Sequence, residues 1–242
     1  MRIAWISLFA LTASAFAEDV SPIATDRPGF SDGSNLVAPG HFQIESGFFR
    51  TQVGSSTTTS FGDGLLRYGL NKKCELRLIG VSYGFAPGVK QWLDPSVGFK
   101  ARLLQTAKSE VTFIGQTTVP IGQGPLRANA WNPTAKIAAT TALGNDSLGT
   151  NLVYSQNASG ADRFNQAAMS VFYGHPLNGK TTLTGEVWAV DRISRGGPSA
   201  GFGSLAVTYL LDNNRQFDLR IGSGFNQSRD GWFIQGGFSI RF

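Results

Sequence analysis

Apolar and polar side chains alternate with a period of two along most of this chain. In the last segment, Trp232, Ile234, Phe238, Ile240 and Phe242 share one parity, and the positions between them are mostly small or polar. Successive side chains of a β-strand point to opposite faces. The segment is therefore predicted to be a strand with one apolar face and one polar face.

The same alternation recurs upstream in about twelve segments of roughly ten residues, the length that a tilted strand needs to cross a bilayer. The weakest segment spans residues 132–143, where Ile137 and Leu143 are the only large apolar side chains on one face. The pattern predicts an all-β fold over residues 41–242, a transmembrane antiparallel up-and-down β-barrel of about 12 strands. An even number of strands returns both termini to one side, which we expect to be periplasmic.

Short and long connections alternate between these segments. Every second connection is a short candidate turn, rich in turn-forming residues: residues 71–73, 106–108, 144–146, 177–179 and 212–214. The intervening connections include longer ones: residues 84–93, 120–131 and 192–199. Outer-membrane barrels have short periplasmic turns and longer outer loops. Nothing in a soluble sandwich requires short and long connections to alternate in this way.

The composition fits a barrel that faces lipid. Charged residues make up 15% of the chain, against about 25% in typical soluble domains, and beyond the N-terminus no continuous apolar run is long enough for a membrane helix. Aromatic girdles lie at both membrane interfaces of such barrels, although aromatic residues also favour strands in general. We expect girdle positions for most of Trp92, Trp131, Trp188, Trp232, Tyr68, Tyr83, Tyr154, Tyr173 and Tyr209.

The N-terminus has the features of a secretory signal peptide. Arg2 supplies a positive charge, residues 3–11 form a short apolar core, and Ala15-Phe16-Ala17 is a cleavage site of the A-x-A type. A membrane anchor or chance hydrophobicity is the alternative. We expect residues 1–17 to be a signal peptide cleaved after Ala17, and residues 18–40, which show neither period, to be an extended arm or plug.

The chain stops on Phe242, an aromatic residue at the end of an amphipathic strand. Outer-membrane barrels commonly end in this way, and the barrel-assembly machinery reads the terminal strand, so Phe242 is the predicted assembly signal. The alternative is the edge strand of a soluble sandwich, but an apolar terminal strand would seldom be left unprotected there. We therefore expect the outer membrane of a Gram-negative bacterium as the location, with its lipid as a partner.

Two stretches resemble the start of a known family. Thr25-Asp26-Arg27-Pro28, and then Pro39-Gly40-His41-Phe42-Gln43-Ile44-Glu45-Ser46-Gly47, are similar to the T-D-R-P and P-G-x-x-Q-x-E-x-G stretches of the outer-membrane family labelled MetA pathway of phenol degradation. Members of that family are described as transporters. The resemblance implies an outer-membrane barrel, and the family label alone suggests aromatic compounds as solutes.

Charged residues on the polar faces of the strands are expected to line the lumen. They are Glu45, Asp63, Arg67, Glu75, Arg77, Lys100, Arg102, Glu110, Lys136, Glu186, Asp218, Arg220 and Arg241. They either pair and fill a narrow barrel or form a selectivity path, in which Arg67, Arg77, Lys100, Arg102 and Arg220 favour anions or polar solutes. Asp26 and Arg27 of the arm are placed to pair with charges of the wall.

Other chemistry is weakly supported. Barrel hydrolases need a Ser/His or Asp/His pair on the wall, and neither His41 nor His175 belongs to a recognisable Ser/His motif, so we expect no enzyme and no catalytic residues. Two histidines and the single Cys74 predict no metal site and no cofactor. The basic residues are dispersed, which argues against nucleic-acid binding.

These patterns predict an outer-membrane channel or transporter for small solutes, with aromatic or hydrophobic compounds suggested by the family label. A structural or adhesive barrel that transports nothing has the same sequence pattern and is the alternative. A barrel hydrolase is the weaker alternative.

Overall fold

The computed structural model of the protein describes residues 21–159, 162–226 and 231–242. The predicted signal peptide, residues 1–17, lies outside the described residues, as do residues 18–20 of the predicted arm. The described chain is almost entirely strand and connection. The strands are β1 (Phe42–Val53), β2 (Ser56–Asn71), β3 (Cys74–Ala86), β4 (Val89–Trp92), β5 (Ser96–Gln105), β6 (Ser109–Thr118), β7 (Pro133–Leu143), β8 (Asp146–Ser159), β9 (Asp162–Pro176), β10 (Thr181–Val190), β11 (Ala200–Asp212), β12 (Arg215–Phe225) and β13 (Gly231–Arg241).

Neighbouring strands pair antiparallel around a closed barrel. β1 closes the circle by pairing with β13, from Gln43 opposite Arg241 to Val53 opposite Gly231. Among the described strands, the four-residue β4 pairs only with β3, beyond the point where β3 pairs with β5. Within the residues that the structure describes, twelve strands therefore form the wall, which confirms the predicted all-β antiparallel barrel of about 12 strands. The sequence pattern did not reveal β4, since its residues fell within a predicted long loop.

The barrel has two unlike ends. The strand connections at residues 72–73, 106–108, 144–145, 177–180 and 213–214 are short and lie at the same end as the start of β1. Phe242 reaches this end too, since its backbone N–H donates to Phe42 O at 2.8 Å. We call this the turn end. The opposite end, here the loop end, carries β4 and the longer connections 119–132 and 191–199.

Alternation separates an apolar outside from a polar inside. Outward side chains such as Val187, Leu205 and Ile221 are more than half exposed, whereas Glu45, Glu75 and Lys100 on the inward face are fully buried. Exposed apolar side chains around a whole barrel are expected where the surrounding solvent is hydrocarbon. Among the described residues, no helix has the length and apolar character needed to cross a membrane.

Candidate functional site

The N-terminal segment enters the barrel and leaves it at the turn end. At the start, the backbone N–H of Ile23 donates to Asn213 O in the turn between β11 and β12, at 2.8 Å. At the end, Gly40 N–H donates to Gly69 O of β2, also at 2.8 Å. Between these points, residues 24–37 contact inward side chains of the wall. We call residues 21–40 the arm.

Asp26 is the most heavily paired residue of the arm. Its carboxylate accepts hydrogen bonds from Lys100 Nζ at 2.9 and 3.0 Å and from Arg77 Nη1 at 2.6 Å. Arg67 adds a longer ion pair at 3.7 Å. All four side chains are at most 5% exposed. A buried carboxylate is tolerated only when it is paired and hydrogen-bonded, and three cations of β2, β3 and β5 meet that condition here.

Arg67, one of these cations, also binds carboxylates of the wall. Arg67 makes a two-point contact with Glu75, from Nε to Oε1 at 2.8 Å and from Nη2 to Oε2 at 2.9 Å, and it reaches Glu45 at 3.1 Å. Glu45 in turn accepts the backbone N–H groups of Asp26 and Arg27, each at 2.9 Å. Charges of the wall and of the arm thus form one connected network.

Arg27 binds the neighbouring part of the wall, on β2, β12 and β13. Its guanidinium donates to Asp63 at 2.9 Å, to Asp218 at 3.3 Å and to the backbone oxygen of Gly236 at 3.1 Å. Asp63 has a φ of 35° in the irregular stretch where the β2–β3 register shifts, and such bulges redirect a side chain. The glycine-containing stretch 62–64 therefore helps to place one of the partners of Arg27.

Two glycines make room for the Arg27 guanidinium. Gly47 of β1 lies directly opposite Gly237 of β13, and both belong to the inward parity. A Cβ atom at either position would lie 2.6 Å from a guanidinium nitrogen of Arg27. That separation is shorter than real contacts allow, so this wall patch accepts Arg27 only because it lacks side chains.

The tip of the arm is fixed by Glu186 and Asp32. Glu186 accepts the backbone N–H groups of Phe30 at 2.9 Å and Ser31 at 2.7 Å, and it pairs with Arg220 at 2.6 Å. Asp32 pairs with Arg77 at 2.8 Å and Lys136 at 2.5 Å. The T-D-R-P segment and the residues after it are therefore bound on several sides of the lumen.

The charges around the arm determine the protonation of its two aspartates. Burial alone would raise the pKa of Asp26, but the positive charges of Arg67, Lys100 and Arg77 outweigh burial and hold this pKa far below its usual range. Burial would also raise the pKa of Asp32, but the positive charges of Lys136 and Arg77 outweigh burial, so this pKa is lowered as well. Both arm carboxylates are therefore ionised at neutral pH.

The other wall charges stand apart from this cluster. Arg102 pairs with Glu110 at 2.5 Å and donates to Lys72 O, near the turn between β2 and β3. Arg241 donates to Ser21 O and Asn213 O, where the described arm begins. Neither contacts Asp26, Arg27 or Asp32. Arg102 and Glu110 are partly exposed. Lys136 and Asp63 are partly exposed too, Asp63 at 35%, but these two pair with Asp32 and Arg27 of the arm.

The girdle prediction is wrong for Trp188. This side chain is 9% exposed and faces the lumen, on the same parity as Glu186. Its ring stacks on Phe30 of the arm at a centroid distance of 5.2 Å and on Phe202 at 5.1 Å, with Arg220 4.7 Å from the ring centroid. The shared parity of residues 186 and 188 was the available signal, and aromatic content outweighed it in the prediction.

Sequence reasoning also missed a cavity of about 360 Å³ inside the barrel. One side of the cavity is the arm and the other is the wall from β7 to β12, toward the turn end. Its wall carries the hydroxyl groups of Thr140, Ser147, Thr182, Thr184 and Thr208 together with the ring of Phe172. We call it the turn-side cavity. Hydroxyl residues on the polar parity of these strands were a possible signal, but charged residues alone were singled out.

The two histidines lie at the turn end, outside the lumen cluster. His41 Nδ1 is 3.1 Å from Pro39 O, and His175 Nδ1 is 2.7 Å from Asp146 Oδ1. Tyr173 also hydrogen-bonds to Asp146, on the exposed surface. Cys74 is a free thiol at the start of β3. In the part of the chain that the structure describes, no three His, Cys, Asp or Glu side chains are grouped to hold a metal ion.

Comparisons with solved structures find barrels of the same kind. The KdgM porin in complex with disordered oligogalacturonate matches with a TM-score of 0.58 and 10% identity, covering 83% of this chain and 99% of KdgM. A second KdgM porin structure matches with a TM-score of 0.57 and 10% identity, over 82% and 99% of the two chains. OmpT of Vibrio cholerae, expressed in the outer membrane, gives 0.46 at 9% identity, over 86% and 99%. The KdgM matches support the barrel fold.

No curated protein has a sequence that matches this chain significantly. The profile of one protein family does match, over residues 25–242, and so includes both the described arm from Thr25 onward and the whole barrel. The family is described as "Putative MetA-pathway of phenol degradation". The chain belongs to this family, and its fold is that of a porin-like β-barrel.

Proposed function

We propose that the protein is an outer-membrane channel for small solutes whose lumen is narrowed by its own N-terminal arm. The observation that carries the proposal is the turn-side cavity, a space of about 360 Å³ between the arm and the wall of a barrel whose outside is apolar. A barrel that only anchors or adheres has no need of a cavity at its centre. The fold of the KdgM porins supports the same function.

The proposed location is the outer membrane, with both termini on the periplasmic side. The outward apolar surface matches a hydrocarbon environment, and the short turns at the end that holds Phe42 and Phe242 match periplasmic turns. Residues 1–17 act as the export signal in this proposal, and Phe242 ends the strand that the barrel-assembly machinery recognises.

The wall charges are proposed to hold the arm rather than to select anions. Arg67, Arg77 and Lys100 already contact Asp26 and Glu75, and Arg220 contacts Glu186. A cation with a carboxylate at this distance has little positive potential left for a passing anion. The charges therefore set the width of the passage by positioning residues 26–32.

Aromatic solutes are the finer proposal. The family description names phenol degradation, and inside the barrel the rings of Phe30, Trp188 and Phe202 form a continuous stack next to Phe233, which lies 5.7 Å from Trp188. Aromatic rings favour stacked or edge-to-face contact with one another. An aromatic solute that enters from the loop end would meet this surface, which includes Phe30 of the arm, before it reached the turn-side cavity.

The alternative is a barrel that conducts nothing, and the extensive pairing of the arm favours it. Purified protein in liposomes separates the two functions. We expect small neutral solutes to enter liposomes that contain the protein and not those that lack it. Absence of flux for every small solute tested, from protein whose folded band on a detergent gel shifts on heating, would leave the non-conducting barrel. Recovery of the protein from the soluble periplasm would overturn both.

A further inference from the structure

The wall of the lumen is chemically divided, and the division points to a ligand. Most charged contacts of the arm are with β1, β2, β3 and β5, where the buried charges Glu45, Arg67, Glu75, Arg77 and Lys100 bind it. Its tip also reaches the other half of the wall, at Lys136 and Glu186. Across the lumen, the wall of the turn-side cavity from β7 to β12 carries mostly hydroxyl and small side chains. The cavity borders the hydroxyl half, so a solute bound in the cavity would contact that half.

The hydroxyl groups of this half are available for hydrogen bonding. Among the described residues, the side chains of Thr140, Ser147, Thr182, Thr184 and Thr208 make no hydrogen bond to another protein group, and all are neither buried nor fully exposed. Each hydroxyl supplies one donor and two acceptor positions. Five such groups around one cavity can satisfy a ligand that both donates and accepts.

One apolar surface borders the same cavity. Phe172 faces inward beside Gly149, where a Cβ atom would overlap its ring. The missing side chain lets the phenyl ring lie against the wall with part of its surface toward the cavity. Ala206, on β11, adds a second small apolar surface. A ring-shaped solute could place one face on Phe172 and its polar edge toward the threonines.

The charged side chains that border the cavity are already paired with opposite charges of the protein. Asp26 is paired with Arg77 and Lys100, Arg27 with Asp63 and Asp218, and Glu186 with Arg220. A charged ligand would lose hydration without gaining an uncompensated partner, and this loss is costly in a confined site. Neutral ligands avoid that cost, so the cavity should discriminate against both anions and cations.

We propose that the turn-side cavity is a binding site for a small uncharged ring compound that carries hydroxyl groups. The volume of about 360 Å³ lies within the range of small-molecule sites and suits a single ring. A monophenol and a monosaccharide share this chemistry, and two arms of the test distinguish them. The site deepens the proposed channel function and rests on it for its biological purpose, but its occupancy is measurable without transport.

Saturation-transfer NMR on the full protein in detergent tests the site. The probes are phenol with benzoate as its charged counterpart, and methyl glucoside with glucuronate as its charged counterpart. We expect saturation of phenol or of methyl glucoside, and at least about tenfold weaker binding of the matching anion. Ala206→Trp, which places a large ring in the cavity, should abolish the signal, while the folded band on a detergent gel still shifts on heating.

A matched set of threonine variants keeps the test independent of gross misfolding. Thr184→Val and Thr208→Val remove one hydroxyl each with little change in shape, and each should weaken binding about two- to tenfold, as the loss of one hydrogen bond does. Thr58→Val, near the loop end of β2 and away from the cavity, is the control and should leave binding unchanged.

Three results would overturn the site: no saturation of either neutral probe, saturation that persists in Ala206→Trp, or anions that bind as tightly as their neutral counterparts. Equal binding by Thr184→Val, Thr208→Val and Thr58→Val would also refute the assigned hydroxyl contacts. Binding without any solute flux in liposomes would refute the channel and leave the site standing. Solute flux without binding of either neutral probe would refute the site and leave the channel standing.

Discussion

Lys100 of β5 holds Asp26 of the arm through both carboxylate oxygens, at 3.0 Å to Oδ1 and 2.9 Å to Oδ2. Lys100 is fully buried, and the side chain of Asp26 is 5% exposed. Since Arg77 and Arg67 bind the same carboxylate, this one residue connects the arm to three strands of the wall. The position of the arm therefore depends on the charge of Asp26 more than on any single apolar contact.

Neutralising Asp26 should release the arm. Asp26→Asn keeps the shape but leaves Arg67, Arg77 and Lys100 short of a negative charge, and breaking a buried pair costs about 3–5 kcal/mol. Ser34 is 1% exposed, so Ser34→Cys in a Cys74→Ala background reports release through its reaction with a maleimide. We expect labelling to become at least about 100-fold faster in Asp26→Asn. Asp191→Asn, in a loop at the loop end, is the control and should leave the rate unchanged.

The close approach of Arg27 to Gly237 predicts that these two residues are energetically coupled. Gly237→Ala should lower stability by about 1–3 kcal/mol, as overpacking does, because the new Cβ atom meets Arg27 and the backbone oxygen of Ser46. In an Arg27→Ala background the cost of Gly237→Ala should be smaller, because only the Ser46 contact remains. Gly185→Ala, whose Cβ would lie 3.8 Å from its nearest neighbour, should be tolerated.

Denaturant unfolding of the four proteins in this double-mutant cycle measures the coupling. If Gly237→Ala costs the same with and without the Arg27 side chain, the guanidinium does not need the glycine patch, and the contact described above has no energetic significance.

Trp188 should anchor the tip of the arm. Trp188→Ala removes the stacked contact with Phe30 and one side of the contact with Arg220, and an aromatic pair is worth about 0.5–1.5 kcal/mol beyond its buried area. We expect about two- to tenfold faster maleimide labelling at Ser34→Cys. Trp92→Ala removes an exposed ring at the loop end and should leave labelling unchanged. Equal labelling in the two variants would contradict an anchoring role for Trp188.

The lowered pKa values of Asp26 and Asp32 predict how the arm responds to pH. A released arm has ordinary aspartates with pKa near 3.9 and therefore binds protons more readily than the docked arm. Docking is thus fully favoured above about pH 5 and weakens progressively as the pH falls below about 4. A nitroxide on Asn35→Cys, at an exposed arm position, should show constant mobility from pH 8 to 5 and increased mobility at about pH 3. Release between pH 7 and 5 would contradict this assignment.

Periodicity was enough to predict the barrel, because one apolar face on each strand is required wherever lipid surrounds the wall. Periodicity predicted that Arg67, Arg77 and Lys100 face the lumen, but not that all three contact Asp26. They come together only through the registers of β2, β3 and β5. Gly47 and Gly237 lie far apart in the sequence, on the first and last strands of the barrel, and the β1–β13 pairing that closes the barrel brings them opposite each other. Trp188 was placed wrongly because residue type was weighted above parity.

The ion conductance of single barrels in planar bilayers tests the central proposal most directly. The full chain and a variant that lacks residues 21–36 should both insert. We expect low conductance for the full chain and several-fold higher conductance for the shortened one, with Asp26→Asn between them or switching between the two levels. Equal conductance of the full and shortened chains, or none from either after verified folding, would contradict a channel narrowed by its arm.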